Sequence, residues 1–305
     1  MANEIQKIAI DIGYGDTKVA VGKEVFKFAS AISKQKEAQS EYFEGKNEGV
    51  YDFLGKKYFV GDNALFEAVS TRGFDFLVKY SPLLVYHAIK KANFDLSKDI
   101  HIFTGLSIVN WGEKERFLES LKSIKVDNDI LSPKITLMAQ GQGVFCDYEK
   151  EKEGLVCVVD IGYNTFDFLV FDNGNPRQDL SFATKKGANV IITELQNIIK
   201  KRYSLDISEQ SSKDIFQNGF IEIYGEKIDL SDSIDDLKEE YSEFIINELR
   251  NQREDIVKTA KRVIFSGGGA YFLDNVKSLK NVKNVDFSDK PYEYANVKGY
   301  LKWKK

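Results

Sequence analysis

Apolar and polar residues alternate along this chain in patterns typical of both strands and helices. Apolar runs at 8–21 and 157–170 each predict a strand, a tight turn and a second, antiparallel strand. Further strands are predicted at 24–30, 57–61, 100–105, 135–139 and 262–266. Apolar residues at helical spacing, together with a Ser81-Pro82 start signal, predict helices at 82–93, 113–124, 188–203 and 235–250. The alternation of strands and helices predicts an α/β protein.

Two polar stretches interrupt the regular patterns and divide the predicted domains. Residues 33–50 predict a loop or a small inserted subdomain, and residues 204–236 predict a second insertion. We therefore expect domain I at 1–155 and domain II at 156–305. The predicted cores are 1–30 with 75–155 and 156–203 with 260–305, and the predicted insertions are about 31–74 and about 204–259.

The chain contains an internal repeat. The tetrapeptide Asp11-Ile-Gly-Tyr14 recurs as Asp160-Ile-Gly-Tyr163, 149 residues later. In both copies an apolar run precedes the aspartate, and a second apolar run follows the glycine-containing turn. Two such copies half a chain apart indicate two related halves.

Composition and charge exclude several classes of protein. The 305 residues correspond to about two domains, and the formal net charge of −4 gives no basic field for binding nucleic acid. No run approaches the ~18 apolar residues of a membrane span, and the N-terminus lacks the features of a signal peptide. We therefore expect a cytoplasmic protein with no direct nucleic-acid partner and no membrane partner.

The chain has too few cysteines and histidines for a redox site, a zinc site or histidine-based catalysis. Cys146 and Cys157 have neither CxxC nor zinc-site spacing, which indicates packing residues in a reducing compartment. His87 and His101 are the only histidines and leave little room for histidine-based catalysis or a histidine-rich metal site.

Both repeated turns carry groups suited to a phosphate and a divalent cation. Gly13 and Gly15 allow backbone N–H groups to converge on an anion, and Lys18 adds a positive charge. Asp11 and Asp160, at the predicted strand ends, offer oxygen ligands to Mg²⁺ or its waters. An ordinary β-hairpin remains the alternative interpretation of either turn alone, whereas the repetition favours a shared phosphate and metal site.

Two common phosphate-binding motifs are excluded at the first turn. The dinucleotide pattern G-x-G-x-x-G fails because Lys18 stands at the third glycine position and a strand follows instead of a helix. The Walker A spacing is also absent.

Five motifs, in order, resemble those of the actin/Hsp70/sugar-kinase superfamily, most nearly its ParM-type plasmid-segregation actins and archaeal actin-like proteins. They are the first phosphate loop at 11–19, the connecting segment at 138–143, the second phosphate loop at 160–165, the adenosine motif at 264–269 and a closing A-N-x-x-G-Y helix at 294–300. The resemblance implies an actin-like ATPase fold. Two RNase H-like halves would flank a nucleotide cleft, each with an inserted smaller subdomain.

The resemblance also implies roles for individual residues. The phosphates would contact Gly13, Tyr14, Gly15, Asp16, Thr17 and Lys18 from one side and Gly162, Tyr163, Asn164 and Thr165 from the other. The remaining nucleotide contacts would be Gly187, Gly267, Gly268 and Gly269. Asp11 and Asp160 would orient Mg²⁺ through water.

Gln140 is the expected catalytic residue, together with Asp11 and Asp160. An amide is not a strong base at neutral pH, but it can orient an attacking water by donating and accepting hydrogen bonds. Gln142 offers a second amide, so the sequence leaves open which glutamine holds the water; Gln140, at a strand end, is preferred. A glutamine in an ordinary polar turn is the alternative.

The function implied by the resemblance is an ATP-dependent filament protein. It would bind ATP/ADP and Mg²⁺, assemble head-to-tail with itself, hydrolyse ATP and segregate plasmid DNA through a separate DNA-binding adaptor. A small-molecule kinase and an ATP-binding scaffold that forms no filament are the alternatives. A kinase would normally use a carboxylate to deprotonate its acceptor, and the sequence shows no clear candidate between the phosphate loops.

Overall fold

The computed structural model describes residues 5–35, 49–67, 69, 73–150, 152–274, 276, 279 and 282–303. The chain forms two compact units. The first comprises Met1–Glu149 with Asp289–Lys305, and the second comprises Lys150–Ser288.

The first unit is built on a five-stranded sheet. The strands of the whole unit are β1 (Gln6–Ile12), β2 (Asp16–Val21), β3 (Glu24–Ala29), β4 (Ile32–Lys34), β5 (Val50–Phe53), β6 (Lys56–Val60), β7 (Ile100–Leu106), β8 (Ile124–Val126), β9 (Asp129–Leu131) and β10 (Lys134–Ala139). The main sheet has the order β10-β7-β1-β2-β3, while β4-β6-β5 and β8-β9 form two smaller sheets.

The second unit is built on a related sheet. Its strands are β11 (Leu155–Ile161), β12 (Phe166–Asp172), β13 (Asn175–Pro176), β14 (Phe182–Thr184), β15 (Phe220–Ile223), β16 (Glu226–Asp229), β17 (Arg262–Ser266) and β18 (Val285–Phe287). The main sheet has the order β13-β12-β11-β17-β18 with β14 also beside β12, and β15 pairs with β16 separately.

Helices complete both units. They are α1 (Phe74–Lys91), α2 (Lys114–Leu121), α3 (Gln142–Asp147), α4 (Asn189–Tyr203), α5 (Glu209–Asn218), α6 (Ser231–Thr259) and α7 (Ala295–Lys302). Short 3-10 helices span Gly61–Glu67, Ile108–Glu113, Gly268–Phe272 and Tyr292–Tyr294. No described helix has both the length and the apolar character needed to cross a membrane.

The internal repeat appears as two equivalent β-hairpins. β1 and β2 are antiparallel, with Asp11 opposite Lys18, and β11 and β12 are antiparallel, with Asp160 opposite Asp167. The 149-residue offset therefore relates both strands of the two hairpins in a single register. In each unit the first hairpin strand also pairs in parallel with a later strand, β7 or β17.

The C-terminal segment belongs to the first unit, contrary to its predicted place in domain II. Residues 289–305 group with Met1–Glu149. The reason is apolar packing: Tyr294, Val297 and Tyr300 form a buried cluster with first-unit side chains that include Phe103. The A-N-x-x-G-Y helix, α7, thus completes the core of the unit that contains the N-terminus.

Helix α1 begins earlier than predicted. The Ser81–Pro82 pair was expected to start a helix at 82–93, but α1 starts at Phe74 and Pro82 lies inside it. Phe76 and Leu77 are buried in the first-unit core. The burial of these residues stabilises the part of the helix that precedes Pro82, although the proline interrupts one backbone hydrogen bond.

Both predicted insertions contain regular structure. In the region of 31–74, the described residues form the β4-β6-β5 sheet and the 3-10 helix Gly61–Glu67, while 36–48 lies outside the described residues. In the region of 204–259 lie α5, the β15–β16 hairpin and α6.

Candidate functional site

The first turn joins β1 to β2 through Gly13, Tyr14 and Gly15. The Gly13 N–H donates to the Asp11 carbonyl at 3.1 Å. A Cβ atom at Gly13 would lie 2.8 Å from the Asp16 carbonyl oxygen and 3.0 Å from Lys18 Nζ. Glycine is therefore required by the tightness of the turn, and the Lys18 ammonium lies against it.

Thr17 is the second residue of β2, just after this turn. Its side chain is buried, and its hydroxyl lies 2.8 Å from the Ser30 hydroxyl. Among the residues predicted to contact phosphate in the first loop, Thr17 is thus placed by the structure within the β2–β3 packing.

Asp11 and Gln140 come together although they are far apart in sequence. Asp11 is buried at the end of β1, and Gln140 follows β10. Gln140 Nε2 donates to Asp11 Oδ1 at 2.7 Å, and the Gln140 backbone N–H donates to the Leu106 carbonyl at 3.0 Å. The parallel strands β1, β7 and β10 end at the same edge of the sheet, which explains this convergence.

Asn110 is a further residue beside the first turn, and the sequence pattern does not predict it. It is buried on the 3-10 helix Ile108–Glu113, and its Nδ2 donates to the Tyr14 hydroxyl at 3.3 Å. Burial raises the pKa of Tyr14 despite this hydrogen bond. The Tyr14 side chain therefore anchors the first turn to the 3-10 helix that follows β7. Nothing in the local sequence Ile108-Val-Asn-Trp111 indicates this contact.

The second turn, Gly162–Thr165, is held by the start of helix α4. Asn189 N–H donates to the Tyr163 carbonyl at 2.8 Å, and Ala188 N–H donates to the Gly162 carbonyl at 3.0 Å. A Cβ at Gly187 would lie 2.4 Å from the Tyr163 carbonyl oxygen. Gly187 thus allows α4 to pack directly on the turn.

The glycine run after β17 packs on the end of β11. Gly267 has a φ of +83°, and a Cβ there would lie 2.6 Å from Asp160 Oδ1. A Cβ at Gly269 would lie 2.1 Å from Ile161 Cγ2, whereas a Cβ at Gly268 would meet no atom within 4 Å. Packing explains Gly267 and Gly269, while Gly268 borders open space.

The second turn also contains a buried polar group. Asn164 is more than nine-tenths buried, and within the described chain its Oδ1 has no hydrogen-bond partner. Buried polar atoms are nearly always paired in native proteins, so an unpaired one at a turn is consistent with a ligand or water that completes it.

Each unit thus gathers its own set of predicted site residues. Within the first unit the structure brings Asp11, the first turn, Lys18 and Gln140 together. Within the second it brings Asp160, the second turn, Gly187 and the Gly267–Gly269 run together. Among the described residues, no group of three or more His, Cys, Asp and Glu side chains forms a metal-binding cluster.

Comparison with protein families gives two matches in chain order. A model described as the N-terminal domain of actin-like proteins matches residues 9–143. A model described as the C-terminal part of the archaeal actin homologue MreB-like matches residues 158–278. A search of curated proteins gives no significant match.

Solved structures share the fold over nearly the whole chain. The ParM protein of a 15-stranded filament from Clostridium botulinum is 23% identical, with a TM-score of 0.79 and 98% of each chain covered. The archaeal actin homolog Ta0583 in complex with ADP is 18% identical, with a TM-score of 0.79 and coverage of 97% of this chain and 98% of that one. Bacillus thuringiensis ParM with ATP is 16% identical, with a TM-score of 0.67 and 97% of each chain covered.

At these identities the structural neighbours establish the fold, which is actin-like across both units. The family matches add sequence evidence for the same assignment in each half. The N-terminal model covers the first repeated hairpin, and the C-terminal model covers the second. The chain belongs to the actin-like proteins.

Proposed function

We propose that this protein is an ATPase that assembles into filaments when it binds Mg·ATP. The observation that carries the proposal is the repeated hairpin. Each unit places a buried aspartate at a strand end beside a tight glycine turn, in the same register. A polyphosphate and its metal ion need backbone donors and carboxylates in this combination.

The residues of both turns fit a nucleotide. The Lys18 ammonium beside Gly13 supplies a positive charge for a phosphate. In the second unit, Asn164 has a buried, unpaired Oδ1 atom, and Gly268 borders open space beside the packed glycines. We propose that the phosphates contact both turns and that the adenosine end lies on Gly268.

Asp11 and Asp160 fit a magnesium ion that arrives with the nucleotide. Mg²⁺ keeps several waters and is commonly held by one or two carboxylates plus the phosphates of its substrate. When bound, it would neutralise negative charge on the phosphates. The two aspartates would hold its waters, and Gln140, fixed to Asp11, would hold the water that attacks the terminal phosphate.

The arrangement at Gln140 supports hydrolysis. Gln140 Nε2 donates a hydrogen bond to Asp11 Oδ1 at 2.7 Å, which fixes the orientation of the amide plane. Gln140 Oε1 is then the atom that can accept a hydrogen bond from a water. An oriented acceptor can align a water without removing its proton in advance, as glutamine does in other nucleotide hydrolases.

Filament assembly is supported by the structural neighbours, one of which is a ParM filament from Clostridium botulinum. Heterologous contacts between identical subunits generate open filaments when the rotation does not close a ring. By the resemblance to ParM-type actins, we extend the proposal to plasmid DNA segregation. A separate DNA-binding adaptor would be required, because the net charge of −4 provides no field for direct DNA binding.

Sedimentation combined with phosphate release tests this proposal. The purified protein at tens of micromolar is spun without nucleotide and with Mg·ATP, Mg·ADP or a non-hydrolysable ATP analogue. We expect pelleting with ATP and with the analogue, and phosphate release with ATP alone. ATP binding without pelleting would identify a scaffold, and turnover that requires a small-molecule acceptor would identify a kinase; either result contradicts the proposal.

A further inference from the structure

Among the described residues, three hairpins turn through two residues that both have positive φ. The turns are Leu54-Gly55, Asn173-Gly174 and Tyr224-Gly225, in β5–β6, β12–β13 and β15–β16. The first residues have φ of 52°, 48° and 52°, and the glycines 73°, 82° and 82°. These values describe type I′ turns, in which asparagine, aspartate and glycine are favoured at the first position.

Asn173 fits its turn, whereas Leu54 and Tyr224 do not. A bulky side chain in the left-handed region is a conformational outlier, because its Cβ crowds the backbone. Both side chains also face solvent: Leu54 is 66% exposed, and Tyr224 is fully exposed. The folded chain gains neither good turn geometry nor buried apolar surface from these two residues.

The two unusual hairpins also share a sequence pattern. Residues 52–57 read DFLGKK and residues 222–227 read EIYGEK, so each tip is an apolar residue followed by glycine and flanked by charges. One lies in the small β4-β6-β5 sheet of the first unit, and the other is the separate β15–β16 hairpin of the second. Their flanks differ in sign next to the glycine, with Lys56 at one tip and Glu226 at the other.

We propose that Leu54 and Tyr224 are the apolar anchors through which one copy of this chain binds a second copy head-to-tail, an inference that rests on the proposed filament function. Tyrosine is enriched in protein interfaces, where its large surface is buried at little cost in side-chain entropy. Pairing either tip with itself about a two-fold axis would bring two Glu226 carboxylates or two Lys56 ammonium groups together. Contact with a different surface of the second copy avoids this repulsion and extends into an open chain.

The proposal predicts opposite effects on folding and on assembly. Tyr224→Asn and Leu54→Asn place a favoured residue at each turn, so each variant is expected to melt at a higher temperature than the wild type. The same variants lose an anchor, so the double variant is expected to need at least about tenfold more protein to pellet with Mg·ATP. Tyr224→Gly repeats the test with a residue that adopts positive φ freely.

Asn173→Ala is the matched control at the third turn. Asn173 Oδ1 accepts a hydrogen bond from the Gly154 N–H at 2.9 Å, so this variant is expected to melt at a lower temperature and to pellet like the wild type. Unchanged pelleting by the Leu54→Asn/Tyr224→Asn double variant would overturn the inference and leave the filament function standing. If the wild type fails to pellet with Mg·ATP, both the inference and the filament function are overturned.

Discussion

The hydrogen bond between Gln140 and Asp11 links two side chains that are 129 residues apart. Gln140 is fixed at both ends, because its backbone N–H bonds the Leu106 carbonyl while its side chain bonds the carboxylate. Gln142, the first residue of α3, begins the next element. Of the two glutamines that the sequence offered, Gln140 is therefore the one we propose to hold the attacking water.

Gln140→Ala is expected to bind Mg·ATP nearly as tightly as the wild type and to hydrolyse it about 100-fold more slowly, because the water is no longer aligned. Filaments of this variant should persist longer. Single-turnover phosphate release and an ATP titration measure the two effects, with Gln142→Ala as the matched control. Unchanged hydrolysis in Gln140→Ala would assign the water to another residue.

Gly268 gives a second test at residue scale, because a substitution there is expected to change ATP binding without changing the stability of the fold. A Cβ at this position meets no atom within 4 Å, so Gly268→Ala is expected to change the free energy of unfolding by less than about 0.5 kcal/mol. If the adenosine end lies on this glycine, the added methyl group should weaken ATP binding by about tenfold or more. Urea unfolding and an ATP titration measure these effects; wild-type affinity in a folded variant would remove Gly268 from the site.

The burial of His87 is expected to make the free energy of unfolding depend on pH. The ring is buried against Phe28, and Nδ1 lies 2.8 Å from the Tyr51 hydroxyl. Burial, with the nearby Lys91 charge, lowers the pKa of His87 to about 4. The unfolded chain has the ordinary value near 6.5 and therefore takes up a proton first as the pH falls.

The free energy of unfolding is accordingly expected to fall as the pH drops from about 6.5 towards 4, by about 2 kcal/mol between pH 7 and pH 5. His87→Gln, which cannot titrate there, should lose most of this dependence. Burial and the nearby charges of Lys134 and Lys7 also lower the pKa of His101, so His101→Gln should lose a smaller part of it. Urea unfolding at pH 7 and pH 5 makes the comparison. An equal loss of stability in wild type and His87→Gln would show that other groups cause it.

Among single residues, the sequence offers as candidates those whose chemical type is typical of a phosphate and metal site. Asp11, Lys18 and the glycine turns stand out because a carboxylate, an amine and small residues follow a strand. Asn110 and Tyr14 could not be paired in advance, since their contact depends on where β7 ends relative to the first turn. The buried hydroxyl of Thr17 likewise depends on its pairing with Ser30 across β2 and β3.

At the scale of elements, helices α3 and α7 pack closely on each other in the first unit. A Cβ at Gly299 would lie 1.7 Å from the Gly143 carbonyl oxygen, and a Cβ at Gly105 would lie 1.8 Å from the Tyr300 hydroxyl. Asn296 Oδ1 also accepts a hydrogen bond from the Gly141 N–H at 2.9 Å. Packing thus explains the A-N-x-x-G-Y motif. The Asn296 amide binds the start of α3, and Gly299 leaves room for the α3 backbone.

Gly299→Ala is expected to destabilise the protein by about 3 kcal/mol or more, because the methyl group would overlap backbone that has no rotamer to change. Gly112→Ala is the matched control, since its Cβ would meet no atom within 4 Å, and it should stay within about 0.5 kcal/mol of the wild type. Chemical denaturation measures both variants. Wild-type stability in Gly299→Ala would contradict the close helix crossing.

The order of the main elements followed from the sequence, but the limits and partners of some did not. The strand at 262–266 was predicted with its observed bounds, because apolar residues end there at a glycine run. The start of α1 was wrong because a local proline signal is weaker than the burial of the turn before it. The unit to which α7 belongs was also wrong, since sequence order carries no information on which core covers Tyr300.

At the scale of the whole molecule, the 149-residue repeat is the feature that connects the fold with the proposed function. It relates the hairpins β1–β2 and β11–β12 in register, and it sets Asp11 and Asp160 at equivalent strand ends. The actin-like family matches fall on the same two halves of the chain. The central claim is that both hairpins serve a single nucleotide.

Calorimetric titration of the protein with Mg·ATP tests this claim most directly. We expect one ATP per chain, and we expect Asp11→Ala and Asp160→Ala each to weaken that same binding event. Two ATP molecules per chain, with each substitution abolishing only one of them, would mean that the hairpins bind separately. That result, or a chain that binds no ATP, would contradict the account.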